Sequence, residues 1–184
     1  NGMFAIAIYD FRLKKLVLAR DRFGKKPLYW GIFDGTLIFG SELKVILKHP
    51  SFKKEIDLKS LNKYLAYEYV PTPDSIFKDL HKLEPATYLS FSGGAIKKET
   101  FWNMNFETKN IHFTEAVSVL DKKLEDSVKR RLVADVPLGI FLSGGIDSST
   151  VAYYAQKNSK GKIKTFSIGF EAKSFDESNY AKQV

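Results

Sequence analysis

A short strand that runs into a serine- and glycine-rich loop and then into a helix is the feature that most constrains this fold. Mostly apolar residues occupy 138–142, followed by Ser143-Gly144-Gly145-Ile146-Asp147-Ser148-Ser149 and a helix-like run at 150–157. Gly144 and Gly145 would let the backbone approach a phosphate, since neither has a Cβ. Because the start of a helix presents free backbone N–H groups, this pattern predicts an anion site.

Hydroxyl and carboxylate side chains in the loop extend that prediction. Ser143, Ser148 and Ser149 offer hydroxyl donors to a phosphate, and Asp147 could hold a hydrated Mg²⁺. The loop lacks the Gly-Lys-Ser/Thr ending of a Walker A sequence, so it is a different kind of phosphate loop. Two alternatives stay open. The loop could be a plain strand-to-helix turn, and Asp147 could only accept backbone N–H bonds where the helix begins.

The residues around the loop predict the start of a parallel, doubly wound sheet. Residues 114–132 have the apolar spacing of a long helix capped by Thr114, and a second strand is expected at 164–170. The first strand, a helix from Ser148 and the second strand would form one βαβ unit. Ligands of such sheets bind at the carboxyl ends of the strands, where Ser143 lies.

The first hundred residues predict a separate, strand-rich domain. Strands are expected at 3–9, 16–20, 28–33, 37–40, 86–92 and 95–101, with helices near 41–47 and 57–69. The first strand is almost continuously apolar, which favours burial on both faces, and Ser41 is expected to open the first helix. A second Ser-Gly-Gly, at Ser92, has strand-like sequence on both sides and no Asp-Ser-Ser after it, so it predicts a hairpin turn.

Composition and charge limit the class of protein. The chain is 44% hydrophobic, which fits a folded core, and it contains neither a membrane-length apolar run nor a secretory signal pattern. Its net charge is +8, but the basic residues occur as scattered pairs among acids, which disfavours nucleic-acid binding. The three histidines have no metal-binding spacing. Polar residues 103–113 form a linker candidate between domains at 1–102 and 114–184.

Two sets of motifs carry a resemblance to a known family. The loop Ser-Gly-Gly-Ile-Asp-Ser-Ser is similar to the pyrophosphate-binding loop (PP-loop) of the ATP pyrophosphatases. Upstream, the chain resembles the later part of the class II glutamine amidotransferase domain of glutamine-hydrolysing asparagine synthetases. That similarity lies at residues 3–10, 16–30, 37–44, 67–73, 76–78 and 83–86. The two sets occur in the family's order and cover nearly the whole chain.

The resemblance implies both a fold and a reaction. The fold would be mixed α/β and α+β: an Ntn-type αββα amidotransferase domain, then a PP-loop domain like that of adenine nucleotide α-hydrolases. The reaction would use ATP and Mg²⁺ to adenylate aspartate, releasing pyrophosphate, and glutamine-derived ammonia would then give asparagine. Adenine would lie against the main chain at the strand ends, which points to Phe141, Leu142 and Ile168. A cytoplasmic enzyme that makes no membrane contact, with a homodimer as one possible assembly, is expected.

The same resemblance indicates that the chain is part of a longer protein. Class II amidotransferases hydrolyse glutamine with an N-terminal cysteine, and this chain has none. It begins at Asn1 inside what the resemblance marks as a mid-domain strand, and Val184 falls in a helix-like segment. The glutaminase cysteine and the catalytic lysine of the synthetase would lie outside it, so the chain alone is expected to be inactive.

Other functions fit part of the pattern. A related amidotransferase could act on a sugar or peptide carboxylate, since nothing before Val184 identifies the acceptor. A tRNA-modifying ATP pyrophosphatase would give the basic charge a role, although such enzymes often need cysteines. A degenerate, non-catalytic module for partner binding is the third alternative. The Arg20-Asp21 pair beside a Phe-Gly turn is interpreted as a turn-stabilising ion pair.

Overall fold

Short antiparallel strands build the first part of this mixed α/β chain. The computed structural model describes residues 2–174 and 176–184, and the chain divides into two compact units, with the boundary in the sequence between Phe106 and Glu107. The elements of the first unit are β1 (Ala5–Asp10), β2 (Lys15–Arg20), β3 (Tyr29–Phe33), β4 (Thr36–Gly40), α1 (Leu43–Ile46), α2 (Leu58–Tyr67), β5 (His81–Lys82), β6 (Thr87–Ser92) and β7 (Ala95–Thr100).

Two antiparallel sheets hold the core of the first unit. One has the order β1-β2-β6-β7 and the other has the order β4-β3-β5. A buried leucine cluster lies against partly buried residues from both sheets, and it consists of Leu18, Leu28, Leu83 and Leu89. The predicted hairpin at Ser92 is confirmed, because β6 and β7 pair across it and both turn glycines have positive φ, 56° at Gly93 and 81° at Gly94.

Two predictions for this unit are wrong. The first strand is not buried on both faces: Ile6 and Ile8 are 40% and 59% exposed. The reason is that β1 is an edge strand, paired only with β2, and its apolar run reflects strand propensity more than burial. The first helix begins at Leu43 with Glu42 at its N-cap, so Ser41 does not open it.

The second unit is a small βαβ arrangement. Its elements are α3 (Phe113–Arg131), β8 (Gly139–Phe141), α4 (Ile146–Lys157), β9 (Lys164–Phe166) and α5 (Ser178–Gln183). Strands β8 and β9 pair in parallel, as the sequence predicts, and α3 packs on α4 around Val128, Tyr154 and Ala155. The Tyr154 hydroxyl donates to Asp121, and Lys157 forms an ion pair with Glu125 at 2.9 Å.

Three boundaries in the second unit differ from the predicted ones. Helix α3 begins at Phe113 after His112, and no side chain caps it, so Thr114 is not its cap. The helix expected from Ser148 already begins at Ile146, after Gly145. The second strand ends at Phe166 instead of 170, and just beyond it the Ser167 hydroxyl donates to the Leu142 carbonyl where a strand would place a backbone N–H. Among the described residues, no helix has the length and apolar character needed to cross a bilayer.

Candidate anion and nucleotide site

The site begins where β8 and β9 end together. Beyond the paired strands, the Leu142 N–H donates to the Phe166 carbonyl at 2.9 Å, and the Ser167 hydroxyl donates to the Leu142 carbonyl. These bonds hold the two chain segments side by side for one more residue. Ser143 therefore starts the loop at the carboxyl edge of a parallel pair, where ligands bind in sheets of this kind.

A closed set of hydrogen bonds shapes the loop. The hydroxyls of Ser143 and Ser148 lie 3.0 Å apart, and the Ser148 hydroxyl also donates to the Gly145 carbonyl at 3.2 Å. The amide N–H groups of Ser143 and Gly145 donate to the Ser148 and Ser143 hydroxyl oxygens, each at 3.3 Å. Since the Ser148 hydroxyl donates its proton to the Gly145 carbonyl, the Ser143 hydroxyl is the donor in the bond between the two serines. The backbone is thus shaped before any ligand arrives.

The first turn of α4 presents unused backbone donors. Its first helical hydrogen bond runs from the Ser149 N–H to the Gly145 carbonyl at 3.0 Å. The amide N–H groups of Ile146, Asp147 and Ser148 have no acceptor within the described part of the chain. Three aligned N–H groups, with the positive end of a twelve-residue helix behind them, form a site suited to a phosphate.

Asp147 is exposed, and its side chain makes no hydrogen bond to any described residue. The alternative in which its carboxylate accepts N–H bonds at the helix start is therefore wrong: Gly145 is the N-cap, and no side chain caps the helix. A free carboxylate beside an anion site repels the anion unless a cation lies between them. Mg²⁺ commonly binds through one or two carboxylates together with phosphates, which fits this side chain. Among the described residues, no group of three or more acidic, histidine or cysteine side chains could hold a metal.

A cavity of ≈ 400 Å³ opens beside the loop, and we term it the strand-end cavity. Apolar and aromatic side chains form most of its wall, together with three hydroxyls and one carboxylate. The lining residues are Phe141, Leu142, Ser143, Ser148, Phe166, Ser167, Ile168, Phe170 and Glu177. Five of these are predicted from the sequence, namely Phe141, Leu142, Ser143, Ser148 and Ile168. The side chains of Phe141 and Ile168 are 78% and 65% exposed, so they are not core residues.

The other predicted residues lie elsewhere around the loop. Gly144, Gly145 and Asp147 belong to the loop and first helical turn but do not line the strand-end cavity. Ser149 lines a second cavity of ≈ 640 Å³ together with Tyr153 and Thr165. Its buried hydroxyl oxygen has no hydrogen-bond partner among the described residues. The structure thus brings Ser143 and Ser148 together and separates Ser149 from them.

Gly144 is held against a helix from much later in the chain. Its φ is +84°, and a Cβ at this position would lie 2.4 Å from the carbonyl carbon of Tyr180. Helix α5 therefore packs directly on the loop. The sequence gives no sign of this contact, nor of Ser167, Phe170 and Glu177 as cavity residues. Only the acidic character of Glu177 could have suggested a polar role.

Arg20 and Asp21 have a structural role in the first unit, but they do not form the expected ion pair. The Arg20 guanidinium donates to the carbonyls of Lys26, Gly24 and Leu83. The Asp21 carboxylate accepts from the backbone N–H groups of Phe4, Phe23, Lys25 and Lys26 at 2.9–3.2 Å. Burial alone would raise the pKa of Asp21, but these four bonds outweigh it and lower the pKa below its ordinary value of 3.8.

Comparison with known proteins gives the two units a common family. A family model described as a glutamine amidotransferase domain matches residues 1–102, and one described as asparagine synthase matches residues 119–184. The chain belongs to the asparagine synthase family. Within that family, asparagine synthetases 3 and 1 of Bacillus subtilis, both glutamine-hydrolyzing, are each 36% identical to it. The matches cover 93% and 100% of this chain and 29% of each relative.

The chain thus spans less than a third of the length of these two relatives. Among solved structures, a glutamine phosphoribosylpyrophosphate amidotransferase from B. subtilis, complexed with ADP and GMP, matches at a TM-score of 0.28 and 15% identity. That match covers 86% of this chain and 31% of the other. Because so low a TM-score does not establish a shared fold, membership of the asparagine synthase family rests on the sequence matches.

Proposed function

We propose that the loop from Ser143 to Ser149 binds the phosphates of ATP. The observation that carries this proposal is the set of three unused N–H groups at the start of α4. They lie beside the linked hydroxyls of Ser143 and Ser148, at the carboxyl ends of two parallel strands. The strand-end cavity next to them has an apolar wall that suits a purine base.

Each part of the site has its own task in this proposal. The helix N–H groups bind the β and γ phosphates and stabilise the charge that develops on pyrophosphate as it leaves. The hydroxyls of Ser143 and Ser148, which bond each other and the Gly145 carbonyl in the free chain, turn to donate to the phosphates when ATP binds. The Ser149 hydroxyl, which is buried beside the other cavity, takes no part in this contact. Adenine lies against the main chain at Phe141, Leu142 and Ile168. Asp147 holds Mg²⁺, directly or through water, and the ion neutralises phosphate charge.

We infer that a protein with the full length of these relatives uses this site in glutamine-dependent asparagine synthesis. The aspartate side-chain carboxylate attacks the α phosphate, the bond to pyrophosphate breaks, and β-aspartyl-AMP forms. Ammonia from glutamine then displaces AMP and gives asparagine. Residues 1–102 belong to the Ntn-type αββα glutaminase domain, 103–113 to a linker and 114–184 to the PP-loop synthetase domain. Such a protein works in the cytoplasm and can form homodimers.

Two measurements test the proposal at different levels. In the first, Mg²⁺-ATP is added to this chain and the melting temperature of the second unit is followed. Protection is expected, and Asp147→Asn should reduce it, whereas Asp135→Asn, an exposed acid of the same unit, should not. An absence of protection in the wild-type chain would contradict nucleotide binding.

The second measurement concerns the acceptor. With the chain extended to the length of its relatives, pyrophosphate release should depend on aspartate. If pyrophosphate release depended on a sugar or peptide carboxylate instead, the assignment of aspartate as the acceptor would be wrong, whereas the proposed ATP site would stand. Salt-sensitive tRNA binding by the extended protein would favour the tRNA-modifying alternative.

A further inference from the structure

The charged side chain that lines the strand-end cavity is acidic. The polar residues of this cavity are three serines and Glu177, and among the described residues no lysine, arginine or histidine lines it. A simple anion would gain nothing from the Glu177 side of this cavity. A ligand that fills both the helix start and the cavity therefore needs an anionic end at α4 and hydrogen-bond donors near Glu177.

Glu177 is available for such a ligand, whereas the neighbouring acid is not. The Asp176 carboxylate accepts from the N–H and the hydroxyl of Ser178, both at 3.1 Å, and these bonds lower its pKa. The side chain of Glu177 is exposed and makes no hydrogen bond to any described residue. Of these two adjacent acids, Asp176 stabilises the start of α5, whereas Glu177 lines the cavity and its side chain has no partner among the described residues.

Glu177 is joined through its backbone to the residue that touches the phosphate loop. Its carbonyl accepts from the N–H groups of Tyr180 and Ala181 at 3.0 and 3.1 Å, and the Tyr180 backbone touches Gly144 in the phosphate loop. Three residues of helix correspond to a rise of about 4.5 Å, so Glu177 lies less than one helical turn from Tyr180. It also shares the cavity wall with Phe170, which belongs to the apolar part.

We propose that Glu177 accepts hydrogen bonds from the adjacent 2′ and 3′ hydroxyls of the ribose and makes the site selective for ribonucleotides. In a nucleotide the sugar lies between phosphate and base, and Glu177 lines the same cavity as Ser143 and Ser148 of the phosphate loop and apolar Phe170. A carboxylate has two oxygens that can accept from two neighbouring hydroxyls, and such charge-assisted bonds are strong. This inference rests on the proposed function, because it assumes that ATP occupies the site.

The test compares ATP with two nucleotides that each lack one sugar hydroxyl and with one that differs only in the base. Isothermal titration calorimetry of the full chain with Mg²⁺ would measure the dissociation constants of ATP, 2′-deoxy-ATP, 3′-deoxy-ATP and inosine triphosphate. Wild-type protein is expected to bind ATP at least about tenfold more tightly than either deoxynucleotide, since each loses a hydrogen bond to a charged group. Glu177→Gln and Glu177→Ala should reduce that ratio to below about threefold. Glu171→Gln, which changes an exposed acid outside the cavity, should leave it unchanged.

Each other outcome overturns the inference in a recognisable way. The sugar contact would be contradicted if the wild-type chain bound ATP and both deoxynucleotides equally. It would also be contradicted if the preference for ATP over the deoxynucleotides were unchanged in both Glu177 variants. Either result would leave the proposed ATP site standing. An equal loss of affinity for all nucleotides would indicate a structural role. A change confined to ATP against inosine triphosphate would place the carboxylate at the base. If the wild-type chain binds no ATP, the proposed function fails together with this inference.

Discussion

The hydroxyl oxygens of Ser143 and Ser148 lie 3.0 Å apart, five residues apart in sequence, on either side of the turn that leads into α4. Through Gly145 both hydroxyls also bind the backbone of that turn. The pair therefore sets the direction in which the free N–H groups of the helix point. A phosphate site that depends on these N–H groups should depend on both serines.

Replacing either serine by alanine should weaken nucleotide binding. Ser148→Ala removes three loop hydrogen bonds as well as a phosphate donor, so we expect the dissociation constant of Mg²⁺-ATP to rise by about tenfold or more. The second Ser-Gly-Gly provides a matched control. The Ser92 hydroxyl donates to the Lys14 carbonyl and to no other described residue, at the turn of a hairpin, so Ser92→Ala should not change ATP affinity. Equal effects of the two substitutions would argue against a phosphate role for the loop.

Gly144→Ala should destabilise the second unit. A Cβ there would lie 2.4 Å from the Tyr180 carbonyl carbon, on a residue whose φ is +84°. Backbone strain and overpacking each typically cost about 1–3 kcal/mol. Gly93→Ala is the control, since its φ is also positive, at +56°, but a Cβ would meet nothing within 4 Å. Urea unfolding followed by far-UV circular dichroism should show the larger loss of unfolding free energy for Gly144→Ala, and a smaller loss than for Gly93→Ala would contradict the packing of α5.

Asp21→Asn should destabilise the first unit by roughly 2–4 kcal/mol, because an amide cannot accept from all four N–H donors that the carboxylate binds. Both tryptophans, Trp30 and Trp102, lie in the first unit, so tryptophan fluorescence during urea unfolding reports on that unit. Asp10→Asn is the control, since this exposed side chain accepts two N–H bonds with one oxygen, which an amide oxygen can also do. Similar losses for both variants would contradict a special role for Asp21.

The stability that Asp21 provides should depend on pH. Its pKa in the folded chain is below the ordinary 3.8, so the unfolded chain binds the proton more readily. The stabilisation is therefore complete well above pH 4 and is lost as the pH falls through the lowered pKa. The difference between wild type and Asp21→Asn, measured by tryptophan fluorescence, should be largest near pH 7 and shrink below about pH 4. A difference that does not change over this range would contradict the assignment.

Tyr154→Phe should lower the stability of the second unit more than Tyr153→Phe does. The Tyr154 hydroxyl donates to Asp121 and joins α4 to α3, and this bond raises the pKa of Tyr154. Tyr153 is a suitable control because it is adjacent and 61% exposed. Since the stabilising form is the protonated phenol, its contribution should be lost as the pH rises past 10. Thermal melts followed by tyrosine-region circular dichroism at pH 7 and pH 11 would measure both effects.

Local patterns in the sequence predicted the strands and helices better than they predicted the burial and the partners of individual side chains. Alternation, glycine positions and the strand-to-helix transition identified the Ser92 hairpin and the parallel pairing of β8 with β9, because short-range chemistry determines these features. The exposure of Ile8 could not be predicted, since burial depends on which strand lies at the sheet edge. For Arg20 and Asp21, the sequence indicated a structural role, but their partners are backbone groups that only the folded loop brings within reach.

In the site, the sequence identified the loop but not the wall that faces it. Ser143 and Ser148 follow from a motif of seven residues, whereas Phe170 and Glu177, which line the same cavity, belong to no helix or strand. No periodicity constrains such residues. The buried hydroxyl of Ser149 shows the same limit, because its neighbours Tyr153 and Thr165 come from the helix and the next strand.

The contact between Gly144 and Tyr180 has a practical consequence for protein engineering. A designer who grafts the strand, loop and first helix into another scaffold, stopping at Lys157, would leave out the backbone on which Gly144 rests. In such a graft a glycine with positive φ would have no neighbour to hold it and could adopt other conformations. The smallest portable version of this loop therefore includes the residues up to α5.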